Sequence, residues 1–265
     1  MKYTHLFFFA VLAMISLASC GGHKSKIETV RDSLALTYTV VNTLPHNIEA
    51  FTEGLVVYND KILESTGQNN HSWIAEVNPG SGEQDKKIIL DGQYFGEGIT
   101  VLNNKIYQLT YKHKIGFIYD AKTYKQIGEF PYHTSTSEGW AITHDNTNLI
   151  INDGSDHLYY LDTAKFNIVK TISVTENGNR LKKLNELEFV NGYIYANVWE
   201  TNIIVKIDPS TGKVVGRLDL TVLNSEIHAL YPQADVLNGI AYDKNSKCFL
   251  VTGKYWPKAY LIKVR

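Results

Sequence analysis

Acidic and amide side chains recur along the sequence in the same local setting, each directly before or within a run of small and apolar residues. The positions are Glu53, Glu97, Glu138, Glu186 and Asn238, at intervals of 41 to 52 residues. If they are equivalent in a repeated fold, four carboxylates lie together and must be protonated, hydrogen-bonded or paired with a cation. Such a ring could receive an amine, or it could bond the backbone amides of neighbouring repeats. We assign most of the five to the structural role and reserve chemistry for one.

Each of these positions is followed by further strand candidates, so that one repeat contains four strands. The intervals between repeats are those of propeller blades. The fifth repeat lacks a fourth strand before the chain stops at Arg265, and Leu36–Thr43 can supply it. We therefore predict an all-β fold, a five-bladed β-propeller with four-stranded blades, in which the N-terminal strand closes the last blade. Helical periodicity is nearly absent after residue 30.

The ends of the second strands form another set of equivalent positions, and several of them carry aromatic or cationic side chains. Together with aromatic residues beside the acids, they are expected to surround one opening of the channel. The aromatic residues assigned to this opening are Phe51, Phe95, Tyr111, Trp140 and Trp199. A single aromatic residue at a strand end usually serves packing, but several beside an acid ring indicate a small-molecule pocket.

The N-terminal segment predicts export. Lys2 precedes an apolar run, Leu6–Leu17, which is too short for a stable transmembrane helix and is typical of a signal peptide. The sequence Leu-Ala-Ser-Cys ending at Cys20 resembles a bacterial lipobox. We expect a lipoprotein signal peptide in residues 1–19, a tether in residues 20–32 and a propeller domain in residues 33–265. The lipid on Cys20 would hold the protein on the periplasmic or cell-surface side of a membrane.

Charge and cysteine content exclude other classes of protein. The net charge is −1 without a basic block, which argues against nucleic acid as a partner. Once Cys20 is lipidated, Cys248 is the remaining thiol, so neither an intrachain disulfide nor a Cys/His zinc site is expected. Cys248 lies in an apolar run and is interpreted as a buried bystander. We expect a monomer whose membrane association depends on the lipid alone.

A series of short motifs between about His46 and Pro257 resembles one family. The motifs are His46, Phe51–Leu55, Glu64–Gly67, Tyr94–Gly98, Leu109–Lys112, Glu138–Trp140, Leu184–Glu188, Ala196–Trp199, Leu237–Ala241 and Thr252–Pro257. In this order they are similar to the plant and bacterial glutaminyl-peptide cyclotransferases, which convert N-terminal glutamine to pyroglutamate and release ammonia. The resemblance implies peptides or proteins with N-terminal glutamine as substrates.

The resemblance also implies roles for individual residues. Glu97 corresponds to the essential acid, and Lys254 and Asn185 to further catalytic residues. Phe51, Phe95, Trp140 and Trp199 correspond to aromatic residues of the substrate pocket. Two pocket positions depart from the family pattern, since the chain has Glu53 where glutamine is common and Tyr111 where tryptophan is common. These departures bear on substrate preference and rate more than on reaction type.

The expected reaction needs a proton carrier and a donor for the developing oxyanion. One carboxylate that reaches both nitrogens can perform both proton transfers, and we assign this role to Glu97. Lys254 or Asn185 could stabilise the oxygen. This scheme requires no metal or other cofactor, although the acid ring is compatible with a structural cation in the channel. Two alternatives stay open, a calcium-dependent lactonase and a non-catalytic propeller that presents a protein-binding face.

Overall fold

The computed structural model describes residues 33–265. The expected signal peptide, the tether and the lipidation site at Cys20 lie outside this part of the chain. Residues 33–265 form short β-strands and one α-helix. No helix within them is both long enough and apolar enough to cross a bilayer.

The first strands and the first three repeats follow one another as predicted. Two strands precede the repeats, namely β1 (Ala35–Leu36) and β2 (Tyr38–Pro45). Blade I consists of β3 (Thr52–Tyr58), β4 (Lys61–Thr66), β5 (Trp73–Val77) and β6 (Gln84–Ile89). Blade II consists of β7 (Gly96–Leu102), β8 (Lys105–Thr110), β9 (Ile115–Asp120) and β10 (Gln126–Pro131). Blade III consists of β11 (Ile142–His144), β12 (Leu149–Asn152), β13 (His157–Leu161) and β14 (Ile168–Ser173).

The last two repeats carry additional strands and a helix. A hairpin, β15 (Thr175–Glu176) and β16 (Asn179–Arg180), leads into blade IV. Blade IV consists of β17 (Leu184–Val190), β18 (Tyr193–Val198), β19 (Ile203–Asp208) and β20 (Lys213–Asp219). Strands β1 and β15 pair with β20, so this sheet has seven strands. After α1 (Thr221–Leu230), blade V consists of β21 (Leu237–Asp243), β22 (Cys248–Gly253), β23 (Lys258–Val264) and the N-terminal β2.

The five sheets form a closed ring around one axis. The first strand of each repeat is innermost, and these strands contact one another in the order β3, β7, β11, β17, β21 and again β3. Strand β2 is the outer strand of blade V and pairs antiparallel with β23, with Tyr38 opposite Val264 and Pro45 opposite Lys258. The predicted five-bladed propeller and its closure by the N-terminal strand are therefore confirmed. The closing strand begins two residues later than predicted, because Leu36 belongs to β1.

Hydrophobic layers between neighbouring blades form the core. Separate buried clusters join blades I and II, II and III, III and IV, and IV and V. The cluster between blades V and I is smaller, with Leu55, Ala241, Leu250 and Ala259 as its buried members. This difference matters below, because polar contacts replace apolar ones in the same seam.

Small residues near the start of the inner strands allow the blades to approach closely. A Cβ added to Gly54 would lie 2.6 Å from the backbone nitrogen of Ile99 in the next blade. One added to Gly98 would lie 2.7 Å from the Cα atom of Ala141. Both distances are too short for real Cβ atoms, so the glycine that follows each of the first two acids is required by the backbone approach.

Helix α1 was not anticipated from the sequence. It connects blade IV to blade V and buries Leu223 and Ile227, one turn apart on the same face, in the core layer between these blades. Two apolar positions are too few to produce a clear helical period in a sequence dominated by strands. The helix leads the chain toward Asp235 and Val236, which contact the backbone of Lys254.

The pairing of β2 with β23 predicts a large effect of an N-terminal deletion. Removing residues 21–43 should lower the melting temperature by more than about 10 °C, because blade V loses its outer strand and the ring its closure. Removing only residues 21–31 is the control, since β1 and β2 remain, and should leave melting unchanged. Thermal unfolding followed by circular dichroism measures both, and equal melting of the two shortened chains would contradict the closure.

Candidate active site

A β-bulge lies at the start of four inner strands, where the acidic and amide residues occur. In blade II, Gly96 pairs with Thr110 and Ile99 with Gln108, so that Glu97 and Gly98 together face a single residue. The same shift occurs between Leu184 and Leu187 and between Leu237 and Ile240. Blade I has a related shift beside Glu53. Bulges re-aim side chains, and here each bulge lies where an acidic or amide residue was predicted.

The strand registers correct the predicted equivalence of the repeats. In each inner strand, one apolar residue pairs with the second strand at an equivalent place, and these residues are Leu55, Ile99, Ile142, Leu187 and Ile240. The residues two positions before them are therefore equivalent, and they are Glu53, Glu97, Trp140, Asn185 and Asn238. Glu138 and Glu186, which the sequence pattern assigned to the ring, therefore do not occupy it. Glu138 lies before β11, and Glu186 is the second bulge residue of blade IV. The constant hairpin length in repeats I to IV was the signal that could have aligned them correctly.

Glu186 performs the structural role that was expected of most of the acids. The other blades have a small residue at the equivalent position, namely Gly54, Gly98, Ala141 and Gly239. The Glu186 side chain fills the space, and its Oε2 accepts hydrogen bonds from the backbone N–H groups of Leu55 (3.0 Å) and Ile240 (3.4 Å). Burial raises the pKa of Glu186 well above its ordinary value, against the lowering effect of these bonds.

Glu53 and Lys254 form a buried ion pair between blades I and V. Lys254 Nζ donates to Glu53 Oε1 at 2.6 Å, and the other Glu53 oxygen accepts a bond from Asn238 Nδ2 at 3.1 Å. Lys254 also lies over the Phe51 ring, 4.1 Å from its centroid. Burial raises the pKa of Glu53 to about 7, although the Lys254 charge and hydrogen bond oppose this rise.

Glu97 differs from the neighbouring acids because no donor within residues 33–265 bonds its carboxyl group. The residue is only 5% exposed. Burial raises its pKa well above the ordinary value, and the Glu53 charge raises it further, whereas Lys254 opposes the shift. The Glu138 charge also contributes. The result is a buried acid that shares its electrostatic surroundings with Glu53, and its carboxyl group has no hydrogen-bond partner in the described part of the protein, although Ser65 Oγ donates to its backbone carbonyl oxygen.

Asn185 occupies the same bulge position in blade IV. Its side chain is 4% exposed, and its carboxamide makes no hydrogen bond with any described residue. The Asn185 backbone carbonyl accepts a bond from Asn152 Nδ2 at 2.7 Å, which fixes the main chain of the bulge. The side-chain N–H groups of Asn185 thus remain able to donate to a bound molecule.

An arc of aromatic rings lies on one side of the acids. The Phe51 and Phe95 centroids are 6.1 Å apart, Phe95 and Tyr111 are 5.7 Å apart, and Phe51 and Tyr255 are 5.3 Å apart. Gly67 makes room for this arc, since a Cβ there would lie 2.3 Å from the Phe95 ring and 3.0 Å from Glu53 Cγ. Tyr255 was not singled out from the sequence, although its place after β22 matches that of the predicted aromatic residues after other second strands.

The two predicted tryptophans form a second group of aromatic rings. The Trp140 and Trp199 rings meet edge to face with centroids 5.5 Å apart. Trp140 Nε1 donates to Glu138 Oε2 at 2.9 Å, and Lys112 Nζ lies 3.4 Å from the other oxygen of this carboxyl group. Glu138 was expected to bond backbone amides, and this expectation is wrong because its carboxyl group orients the Trp140 indole instead.

Two further observations concern metal sites and cavities. Within residues 33–265, no group of three or more His, Cys, Asp or Glu side chains is arranged to hold a metal ion.

A cavity of about 820 Å³ opens where the inner strands end, and residues such as Glu188, His144 and Lys244 line it. None of the predicted catalytic or substrate-binding residues lines that cavity, since they lie near the starts of the inner strands or just after the second strands.

Fold and site together define a β-propeller enzyme whose buried acid, free amide donor and aromatic walls suit reactions of an amide group. A family model described as glutamine cyclotransferase matches residues 10–264, and the chain belongs to this family. It is 35% identical over 228 residues to the glutaminyl-peptide cyclotransferase of Arabidopsis thaliana, covering 85% of this chain and 71% of that protein. The crystal structure of Myxococcus xanthus glutaminyl cyclase matches with a TM-score of 0.81 and 30% identity, covering 88% of this chain and 98% of that one. The chain is accordingly an enzyme of the glutaminyl-peptide cyclotransferase class.

The bonds of Glu186 predict different outcomes for two substitutions. Glu186→Ala should lower the free energy of unfolding by at least about 2 kcal/mol, because two buried N–H groups lose their acceptor. Glu186→Gln keeps an acceptor oxygen and should cost less than about 1 kcal/mol, as expected if the folded protein holds Glu186 as a neutral acid. Urea denaturation at pH 6 measures both values.

The pH dependence provides the control for this prediction. A carboxyl group with a raised pKa in the folded state stabilises the fold below its ordinary pKa, and this contribution is lost as the pH rises toward the folded value. Glu186→Gln cannot titrate, so its stability relative to the wild type should improve steadily from pH 5 to pH 9. A constant difference over this range would contradict a neutral Glu186.

Proposed function

We propose that this protein cyclises the N-terminal glutamine of peptides or proteins to pyroglutamate, with Glu97 as the proton carrier and without a catalytic metal. The observation that carries the proposal is the state of the Glu97 carboxyl group. It is buried, no protein donor within residues 33–265 bonds it, and its pKa is raised. A general acid–base catalyst works best when its pKa approaches the operating pH, and an unbonded carboxyl group can accept and return a proton without breaking a protein hydrogen bond.

The chemistry is an intramolecular acyl transfer. The α-amine of the substrate attacks its own γ-carboxamide carbon, and the amine proton passes to the Glu97 carboxylate. Glu97 then returns this proton to the leaving nitrogen as the carbon–nitrogen bond breaks, and ammonia is released. Because both reacting groups belong to one molecule, the main task of the protein is to hold the folded rotamer that brings them together.

Asn185 is the best-supported donor to the oxygen on which negative charge develops. No hydrogen bond within residues 33–265 involves its carboxamide, whose buried Oδ1 is also unpaired, whereas one Lys254 proton is already directed to Glu53 Oε1. Lys254 keeps two further protons and could add a second bond to the same oxygen. One well-placed donor of this kind contributes about 3 kcal/mol to transition-state stabilisation. Loss of the Asn185 amide should therefore lower turnover more than it lowers substrate binding.

The aromatic walls support the preference for cyclisation over hydrolysis. Phe51, Phe95 and Tyr111 on one side, and Trp140 and Trp199 on the other, offer apolar faces to the aliphatic part of a glutamine side chain. Enclosure between such faces removes water from the carboxamide and strengthens the electrostatic effect of nearby charges. Water would otherwise compete with the α-amine and produce glutamate.

An ammonia-release assay tests the proposed reaction and its independence of metal. The protein should release ammonia from a dipeptide that begins with glutamine, and an excess of EDTA should leave the rate unchanged, because described side chains supply every proposed step. A dipeptide that begins with asparagine is the control, since its cyclisation would require a smaller ring. Loss of activity in EDTA, with recovery on adding calcium, would instead support a metal-dependent propeller enzyme.

Substitution of Glu97 tests the proton carrier. Glu97→Gln preserves the size of the side chain but cannot carry a proton, so kcat should fall by roughly 10²- to 10⁴-fold with a smaller change in KM. Glu186→Gln is the matched control, because it changes a buried acid that bonds only backbone groups, and it should keep kcat within about threefold. Near-normal turnover by a folded Glu97→Gln protein would remove the assignment.

The coupling between Glu97 and Glu53 predicts a shift of the pH profile. Glu97 must be ionised to accept the amine proton, so its raised pKa should place the acidic limb of kcat/KM well above 4.5. The Glu53 charge is one cause of that rise, and Glu53→Gln removes it while leaving the Lys254 charge in place. The limb should therefore move to lower pH in Glu53→Gln. An unchanged or alkaline-shifted limb would show that Glu97 does not determine it.

A further inference from the structure

His46 contacts acceptor oxygens at both nitrogens of its ring. Its Nδ1 lies 2.6 Å from the backbone carbonyl oxygen of Trp256, and its Nε2 lies 3.0 Å from Glu64 Oε1. A carbonyl oxygen can only accept, and an ionised carboxylate also only accepts, so both contacts are hydrogen bonds when each ring nitrogen carries a proton. His46 and Glu64 are 9% and 0% exposed, so this contact is buried in the seam between blades V and I.

One arm of this contact reaches the turn that carries Lys254. Trp256 lies two residues after Lys254, and between them Tyr255 has a φ of 60°, a left-handed conformation that is unfavourable for a bulky residue. Such a conformation persists only where surrounding contacts impose it. The Tyr255 N–H donates to the Ala50 carbonyl oxygen, and the His46 imidazole bonds the carbonyl oxygen of the following residue, Trp256.

The other arm reaches the strand that carries Glu53. Glu64 Oε1 also accepts a 2.6 Å bond from the hydroxyl group of Thr52, the residue directly before Glu53. Glu64 Oε2 has no hydrogen-bond partner within residues 33–265, and His46 is the cationic group that contacts this carboxylate. The imidazole therefore connects the residue before Glu53 with the residue two positions after Lys254.

We propose that His46, held as an imidazolium between Glu64 and the Trp256 carbonyl, is a positioning residue that sets the Lys254 ammonium against Glu53. His46 is remote from the reacting atoms and acts through the backbone at either end of the ion pair. The inference deepens the proposed function, because Lys254 and Glu53 belong to the site that it describes. It assigns a role to a buried histidine and a buried glutamate that the reaction itself does not use.

The electrostatics of the seam agree with this charge state. Burial by itself lowers the pKa of His46, but the Glu64 charge, its hydrogen bond and the bond to Trp256 together raise the pKa above its ordinary value. A buried imidazolium is costly when alone and becomes stable when its partner is ionised and both N–H groups are satisfied. Because the Nδ1 bond ends on main chain, substitution at position 256 that keeps the backbone would not remove it.

The protonation state can be measured directly in the wild-type protein. In a ¹⁵N-labelled sample at pH 7, both ring nitrogens of His46 should show attached protons and imidazolium chemical shifts, with assignment by loss of the signals in a His46 variant. A neutral imidazole with one protonated nitrogen would overturn the proposal. This measurement requires no substrate, so it stays decisive if the glutaminyl cyclase assay fails.

A matched pair of variants tests the positioning role. Both variants carry Glu64→Gln, so that no buried carboxylate requires a cation at position 46. In that background, His46→Asn keeps a hydrogen-bond donor near the Nδ1 position. His46→Leu has a similar size but cannot donate. The Asn variant should keep kcat within about threefold of the wild type, and the Leu variant should lose about tenfold or more with little change in KM. Folded variants of equal kcat would overturn the role.

Discussion

Closure of the ring at the seam between blades V and I is the constraint on which the rest of the structure depends. Every other pair of neighbouring blades is joined by an extended apolar layer, but this seam has a small one. Polar contacts take its place, including Lys254 with Glu53, Asn238 with the Thr52 carbonyl and His46 with Glu64. Buried charges are strongly destabilising when a partner is lost, so the blades must meet in one register for these contacts to form. Stability and the geometry of the site thus rest on the same contacts.

One backbone position provides five different chemical environments. At this equivalent position of the inner strands, the Glu53 carboxyl group is paired with a cation, whereas no donor within residues 33–265 bonds the Glu97 carboxyl group. Both acids have raised pKa values because both are buried. The difference is that the Lys254 ammonium opposes the rise at Glu53 through a direct bond, whereas at Glu97 it acts only through space. Symmetry of the backbone therefore does not imply equivalence of function.

Enclosure connects the aromatic walls with the behaviour of the acids. Phe95 and Glu53 both lie against Gly67, Glu53 and Glu97 are buried, and desolvation by burial is the largest cause of both raised pKa values. In the proposed reaction, exclusion of water would also protect a bound carboxamide from hydrolysis. The raised pKa of Glu97 is the property that the proposed proton transfer uses. Glu138, which was expected to bond backbone groups, contributes to this enclosure by orienting the Trp140 indole.

The sequence by itself determined the architecture and predicted where the chemistry takes place. A repeat of four strands with an acidic or amide residue at its start predicts a propeller, because strands and turns are encoded locally. Placing Phe51, Phe95, Tyr111 and Trp199 at one opening follows from the same repeat. The closure by β2 followed from counting strands, and its limits were wrong by two residues because β1 takes Leu36 into another sheet.

Only the tertiary structure decided which residues are paired, and its registers corrected which residues are equivalent. Glu138 was replaced by Trp140 and Glu186 by Asn185, an alignment that the constant hairpin length in repeats I to IV also carries. In blade IV a bulge places two residues opposite one, and it leaves no periodic trace because the start of this strand is buried on both faces. The bond between Lys254 and Glu53 joins residues 201 positions apart, and that between His46 and Trp256 joins residues 210 positions apart. Such contacts exist because the ring brings its first and last blades together, and no local pattern encodes that meeting.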